Sequence, residues 1–176
     1  PCKNTMDKTL LQLFNQNKQL QEWQDKTGLL GRQLVMGLSG ASKSLAIAGN
    51  FLANQGKLVI LTASQNEAEN LASDLVGLVG DDQVYQFFAD DIVGAEFIVA
   101  SQEKSLSRVE SLNFLLDERK SGILVTSLLG ARVLLPNPQD YASFVLTFNL
   151  GQDYDLSGLA KTLTSLGYKK VSQVLS

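Results

Sequence analysis

The chain has 176 residues, of which 44% are hydrophobic and 19% charged, and its net charge at pH 7 is -3. This is the composition of an ordinary globular protein, and no apolar run approaches the length of a membrane span. The absence of histidine excludes Ser-His and Cys-His nucleophile pairs and removes the commonest zinc ligand. The single cysteine, Cys2, can form neither an internal disulfide nor a cysteine metal cluster. We therefore expect a cytoplasmic protein that is neither a zinc enzyme nor a hydrolase of those types.

Residues 1–5 precede Met6, where we expect the natural chain to begin, and we interpret them as a remnant of an expression tag rather than a targeting signal.

The charged residues are unevenly distributed along the chain. No basic residue occurs between Lys57 and Lys104, an interval that contains Glu67, Glu69, Asp74, Asp81, Asp82, Asp90, Asp91, Glu96 and Glu103. Such a field repels a phosphate backbone, so we expect no nucleic-acid binding there. A solvated acidic face that maintains solubility is the simpler interpretation.

The first elements alternate between helix and strand. The apolar spacing of residues 7–26 predicts one or two amphipathic helices, and Gln33 to Leu38 is predicted to be a short strand. A buried helix is predicted from Leu45 to Leu52, with Gly56 as its stop. The unbroken apolar run from Leu58 to Leu61 predicts a strand covered on both faces of a parallel sheet.

The next helix has a clear start and stop. Ser64 and Glu67 have the spacing of a capping box, and Gly80 with Asp81 ends the apolar pattern that follows. Val84 to Phe88 is then predicted to be another short strand.

Two further elements complete the first unit. A helix is predicted from Ser101 to about Lys120, with an inner face of Leu106, Val109, Leu112, Leu115 and Leu116. Gly122 to Ser127 is predicted to be a buried strand, and Leu128 to Leu135 a short helix that Pro136 ends. This alternation predicts an α/β domain over residues 6–136, with a parallel sheet flanked by helices.

Residues 137–176 are predicted to begin a smaller α/β unit. The sequence Pro136-Asn137-Pro138 favours extended backbone, and we place the domain boundary there. Phe144 to Phe148 is predicted to be a strand, Asp155 to open a helix, and Val171 to begin a second strand. A unit of about forty residues cannot bury a core alone, so we expect it to be incomplete.

The turn between the first predicted strand and helix follows the pattern of a phosphate-binding loop. Such a loop contains a glycine, four residues, a second glycine, a lysine and a serine or threonine; its amides cradle phosphate, the lysine reaches the outer phosphates and the hydroxyl holds Mg²⁺. The candidate residues are Gly37, Gly40, Ser42, Lys43 and Ser44. Ser42 stands where the second glycine belongs, and a side chain there, if φ is positive, adds roughly 1 to 2 kcal/mol of strain.

Three interpretations of this loop remain open. It is a degraded nucleotide site, or a Gly/Ser-rich turn in which Ser39 or Ser42 caps the helix and Lys43 is solvated. A working site for ATP and Mg²⁺ is the third, which the serine at position 42 disfavours. Asp90 and Asp91 follow a predicted strand, as do the Mg²⁺-binding aspartates of nucleotide hydrolases, but aspartates after strands are also common turn formers.

Four stretches, taken in order, resemble the N-terminal region of bacterial transcription-repair coupling factors (Mfd), which is similar to UvrB, the damage-recognition subunit of nucleotide excision repair. These are the loop from Gly37 to Ser44 with its helix, the run from Leu58 to Leu75, the segment from Phe87 to Glu103, and the tail from Leu150 to Val171. The resemblance implies a helicase-like lobe without nucleotide binding, comparable to UvrB domain 1a, followed by an incomplete counterpart of UvrB domain 2.

The resemblance also implies a function. It implies a non-catalytic adaptor without a cofactor, which links a stalled RNA polymerase to nucleotide excision repair and recruits UvrA through the second domain when that domain is complete. The whole protein would be an ATP-dependent DNA translocase, with its contacts to DNA and RNA polymerase outside this chain and no membrane partner. The alternative is a nucleotide-binding lobe of an ATP-dependent translocase or helicase, which would bind ATP and Mg²⁺ once a partner lobe completes the site.

Two departures from the family pattern limit the transfer of residue roles. UvrB-like relatives carry a Pro-Asn-Lys-type sequence where this chain has Ala63, Ser64 and Gln65, so the basic residue is missing and a DNA-tracking role is weakened. The arginine-bearing hairpin that contacts UvrA in the family is expected after Ser176, so no UvrA-contacting residue is assigned in this chain.

Overall fold

The core of the protein is built on three parallel strands, β1 (Lys57–Thr62), β2 (Val84–Phe87) and β3 (Gly122–Ser127), in the order β1-β3-β2. The computed structural model describes residues 9, 11–27, 31–89, 102–146, 148–169 and 171. All six residues of the central strand β3 are buried. The parallel sheet with flanking helices confirms the predicted α/β class.

The first face of the sheet is covered by α2 (Ala41–Asn54) and α3 (Gln65–Val79). The core there joins Leu11, Ala48, Phe51, Ala68, Ala72, Leu75, Ile123 and Val125. Residues 11–15 are helical, and α1 (Lys18–Thr27) packs on α2, as the N-terminal pattern predicted. Asn54 Nδ2 donates to the carbonyl of Gln24 over 3.2 Å, so part of this helix contact is polar.

Successive residues of a strand point to opposite sides of a sheet, so the other residues of these strands form a second face. The helix that packs on this face is α4 (Gln102–Leu116). Phe114 packs there with Phe87 and Leu124. The hydroxyls of Ser107 and Ser111 both donate to the carbonyl of Gln86, over 2.7 and 2.9 Å, and attach α4 to β2.

The start and stop signals predicted for α3 are confirmed. The backbone N–H of Glu67 donates to Ser64 Oγ over 3.2 Å at the start of α3. Gly80, at φ 103°, ends α3, and a 3-10 turn (Asp81–Gln83) leads into β2. These signals depend on neighbours in sequence, which explains why they could be predicted.

The predicted strand from Gln33 to Leu38 is wrong. That stretch is irregular, and Leu34 and Met36 are 85% and 80% exposed. Apolar spacing alone does not make a strand, which also needs a paired neighbour. Among the described residues the sheet ends at β1 on this side.

The expectation that β1 is covered on both faces is also wrong. Val59 and Leu61 are 51% and 54% exposed. They are in register with Leu124 and Thr126 on the face where α4 packs. Because α4 packs against β2 and β3, it leaves this side of the edge strand open.

The extent predicted for α4 is wrong as well, and so is most of its predicted inner face, of which Leu112 alone among the five residues packs against this core. The helix ends at Leu116 rather than near Lys120. Leu106 and Val109 are exposed, whereas Ser111 and Phe114 are fully buried. The predicted cap Ser101 and the Asp90-Asp91 pair lie outside the described residues. After β3, α5 (Leu128–Ala131) is shorter than the predicted helix to Leu135.

The chain divides into two compact units, Pro1–Val133 and Leu134–Ser176. The second contains α6 (Pro138–Ser143) and α7 (Leu156–Ser165). The Pro-Asn-Pro sequence starts α6: Pro138 opens the helix, and Asn137 Oδ1 accepts a hydrogen bond from the Gln139 N–H over 3.0 Å.

The strand predicted after α6 is wrong, because residues 144–146 and 148 are not in a strand. The helix opened by Asp155 is confirmed; its carboxylate accepts hydrogen bonds from the N–H groups of Ser157 and Gly158. Gly167, at φ 93°, ends α7, with the Tyr168 N–H donating to the Leu163 carbonyl over 3.0 Å. The final predicted strand falls largely on residues outside the described ranges.

Candidate phosphate-binding loop

The backbone of the candidate loop bends at two glycines. Gly37 and Gly40 have φ values of 85° and 54°, which glycine adopts without a steric penalty. α2 begins directly afterwards at Ala41, so Ser42, Lys43 and Ser44 lie in its first turn. Ser42 is not among the described non-glycine residues with positive φ, so the strain considered for it does not arise.

The Ser42 side chain folds back onto the loop. Its Oγ accepts a hydrogen bond from the Ser39 N–H over 2.8 Å and donates to the Ser39 carbonyl over 2.7 Å. The residue at the N-cap of α2 is Gly40, which makes no side-chain hydrogen bond, so the alternative in which Ser39 or Ser42 caps the helix is wrong. The Ser42 hydroxyl instead accepts a hydrogen bond from the Ser39 N–H, a backbone amide of the loop that is then not available to a phosphate.

Lys43 has a partner on the neighbouring helix. Its Nζ lies 3.8 Å from Glu67 Oε1, and both side chains are about half exposed. The other carboxylate oxygen of Glu67 accepts a hydrogen bond from the Ala63 N–H over 3.3 Å. Lys43 is therefore paired rather than solely solvated, although an exposed pair of this kind contributes only about 0 to 1 kcal/mol.

Ser44 is turned toward α3. Its Oγ donates to Asp74 Oδ2 over 2.8 Å, and the residue is only 3% exposed. The hydroxyl hydrogen of Ser44 is therefore directed to a carboxylate of α3. The two groups that would reach phosphate and Mg²⁺ are thus held by carboxylates of α3.

At the carboxyl edge of the sheet, where ligands usually bind in open α/β folds, two described threonines bond to the protein's own backbone. Thr62 Oγ1 donates to the Ser64 carbonyl over 2.8 Å, and Thr126 Oγ1 to the Phe87 carbonyl over 2.7 Å. A Cβ added at Gly130 would clash with Thr126 Oγ1, so this edge is tightly packed. Within the described ranges, no group of three or more acidic, cysteine or histidine side chains is arranged to hold a metal ion.

An open cleft of about 530 Å³ lies elsewhere, between α1 and the irregular stretch that precedes the loop. Trp23, Arg32 and Met36 contribute to its lining, and none of the candidate loop residues does. The cleft is therefore separate from the loop. No helix in the described ranges combines the length and apolar character needed to cross a membrane.

Sequence reasoning missed the two residues that engage the loop, Glu67 and Asp74. Glu67 was recognised as a capping residue but not as the partner of Lys43. Asp74 follows Leu71 by three residues and precedes Leu78 by four, but it is exposed, so water could satisfy its carboxylate and no sequence signal marks it as a partner of the loop.

The chain is similar to part of several curated proteins. It is 28% identical over 160 residues to the transcription-repair-coupling factor of Staphylococcus haemolyticus, a match that covers 90% of this chain and 13% of that protein. The protein of the same name from Staphylococcus epidermidis is 28% identical over 141 residues, covering 80% of this chain and 12% of the relative. That of Staphylococcus aureus strain bovine RF122 is 26% identical over 159 residues, covering 89% of this chain and 14% of the relative.

These relatives confirm the predicted resemblance to transcription-repair coupling factors. The chain spans only a small part of the length of each, 13% in the case of the Staphylococcus haemolyticus protein. No protein-family model matches the chain.

Proposed function

We propose that this chain is a non-catalytic module of a transcription-repair coupling factor. The observation that carries the non-catalytic assignment is that the Ser39 amide, the Lys43 ammonium and the Ser44 hydroxyl all have partners within the protein. A nucleotide would have to displace each of them. The similarity to transcription-repair-coupling factors supports the choice of family.

The adaptor role is the second part of the proposal. The module links a stalled RNA polymerase to nucleotide excision repair, and its second unit contributes to the recruitment of UvrA. DNA translocation and the contact with RNA polymerase belong to other parts of the longer protein, and the module acts in the cytoplasm. The acidic interval between Lys57 and Lys104 supports a protein partner rather than a nucleic acid for this region.

The competing function is that of a nucleotide-binding lobe completed by a partner lobe. Gly37, Lys43 and Ser44 keep the required register, and Gly37 and Gly40 adopt positive φ, which lets the backbone bend as such a site requires. The internal partners of Lys43 and Ser44 argue against this alternative.

Calorimetric titration of the purified chain with MgATP separates the two functions. We expect no binding heat up to millimolar nucleotide, because the loop groups are occupied. Binding in the micromolar range would replace the adaptor with the nucleotide-binding lobe. A Lys43→Ala variant is the matched control, since any signal that survives this substitution does not come from the loop.

Recruitment is tested by capture of UvrA from the same organism on a version of the chain extended past Ser176. Retention of purified UvrA is the expected result. The matched control is the same extended chain without the second unit, which should not retain it. Equal retention by both versions, or by neither, would contradict the proposed route of recruitment.

A further inference from the structure

One helix supplies both carboxylates that engage the candidate loop. Asp74 accepts a hydrogen bond from the buried Ser44 hydroxyl over 2.8 Å, and Glu67 pairs with Lys43 over 3.8 Å. The two contacts differ in strength. The Glu67 contact is long and both of its side chains are about half exposed. The Asp74 contact is short and charge-assisted, and its donor Ser44 is buried, although Asp74 itself is exposed.

Asp74 is also well supported in its position. It lies beside Leu75, which is fully buried, in the middle of α3, a helix of 15 residues capped at both ends. α3 packs against α2, and the two helices share one hydrophobic core through Ala48, Ala68 and Ala72. The carboxylate is therefore presented to α2 by a rigid element rather than by a loop.

We propose that α3 acts as a latch on the loop, with Asp74 as the principal positioning residue: it turns Ser44 inward and holds the first turn of α2 in a form that does not accept phosphate. The latch works together with the Ser42 hydroxyl, which occupies the Ser39 amide. This inference rests on the proposed non-catalytic function and assigns the closure of the site to two independent contacts. Replacing Ser42 by glycine removes only one of them.

The first measurement is amide hydrogen exchange of residues 42–44. We expect Asp74→Ala to accelerate their exchange by about tenfold or more, because the helix turn loses its side-chain anchor. Asp74→Asn keeps an oxygen that can accept from Ser44 and should exchange like the unmodified protein. Glu69→Ala is the matched control, since Glu69 is exposed on the same helix and bonds to Gln65 rather than to the loop.

The second measurement is MgATP titration of variants. We expect no binding up to millimolar nucleotide by Ser42→Gly or by Ser42→Gly/Glu69→Ala, and binding by Ser42→Gly/Asp74→Ala with a Kd at least about tenfold below that limit. Binding by Ser42→Gly equal to that of the double variant would overturn the latch, as would unchanged exchange in Asp74→Ala or a double variant that does not bind. Binding by the unmodified chain would instead contradict the proposed function. Thermal unfolding of each variant verifies that it is folded.

Discussion

Phe114 stacks on Tyr85, with ring centroids 4.2 Å apart and ring planes 12° apart, and this pair attaches α4 to the edge strand β2. Phe114 is fully buried, and the Lys57 ammonium, from the other edge strand, lies 5.4 Å from its ring centroid. A single side chain of α4 thus contacts residues from both edges of the sheet. The core of the second face depends on it.

We expect Phe114→Ala to lower the free energy of unfolding by about 3 to 5 kcal/mol, because it removes a fully buried ring and leaves a cavity. Leu116→Ala in the same helix should lower it much less, since Leu116 is 39% exposed. Urea denaturation followed by tryptophan fluorescence or circular dichroism measures both. Equal losses would mean that the leucine face predicted from spacing, rather than Phe114, anchors the helix.

The inner face of α4 illustrates what the sequence could not reveal. Leucine spacing predicted most of the inner face wrongly, because it took no account of Ser107 and Ser111. Their hydroxyls are compatible with burial only because the Gln86 carbonyl accepts both hydrogen bonds. That acceptor belongs to a strand more than 20 residues earlier, so helix periodicity contains no trace of it.

The candidate loop shows the same division between local and distant information. The register of Gly37, Lys43 and Ser44 and the capping role of Glu67 were readable, since each depends on residues a few positions away. The contact between Ser44 and Asp74 spans 30 residues and exists only because α2 and α3 pack on the same face of the sheet. The loop could therefore be located from the sequence, but the contact that engages Ser44 could not be predicted.

Gln55 provides a second prediction, because it has φ 55° and ψ -167° and is the only described non-glycine residue with positive φ. This backbone region is nearly restricted to glycine and costs other residues on the order of 1 to 3 kcal/mol. We expect Gln55→Gly to raise the free energy of unfolding by about 1 kcal/mol, after the loss of two exposed side-chain hydrogen bonds, one donated to the Leu52 carbonyl and one accepted from the Ser121 hydroxyl.

The control for this substitution is Gln55→Ala, which also removes the side-chain hydrogen bonds but keeps a Cβ in the strained conformation. Thermal unfolding of both variants should place Gln55→Gly above the unmodified chain and Gln55→Ala at or below it. If the glycine variant were no more stable than the alanine variant, the positive φ would carry no strain.

The start of α3 yields a third prediction. Ser64→Ala should lower stability by about 1 kcal/mol, because the Glu67 N–H loses its acceptor. Glu67→Gln retains an oxygen for the Ala63 N–H and removes the charge opposite Lys43, so its effect should stay below about 1 kcal/mol and disappear at high salt. Denaturation at low and high ionic strength distinguishes them, and a salt-dependent Ser64→Ala effect would be contrary to a neutral cap.

The exposed face of β1 is tested by a pair of identical substitutions on adjacent strands. Val59 is 51% exposed on the outer strand, whereas Val125 is 1% exposed on the central one. Replacing valine by threonine preserves the shape of the side chain and adds a hydroxyl. At position 59 this hydroxyl can form hydrogen bonds with water, whereas at position 125 it is buried among apolar side chains that offer no partner. We expect Val59→Thr to change the free energy of unfolding by less than about 0.5 kcal/mol and Val125→Thr to lower it by roughly 1 to 3 kcal/mol. Urea denaturation of both variants in one buffer gives the comparison. A loss at Val59 as large as that at Val125 would mean that β1 is covered on both faces after all.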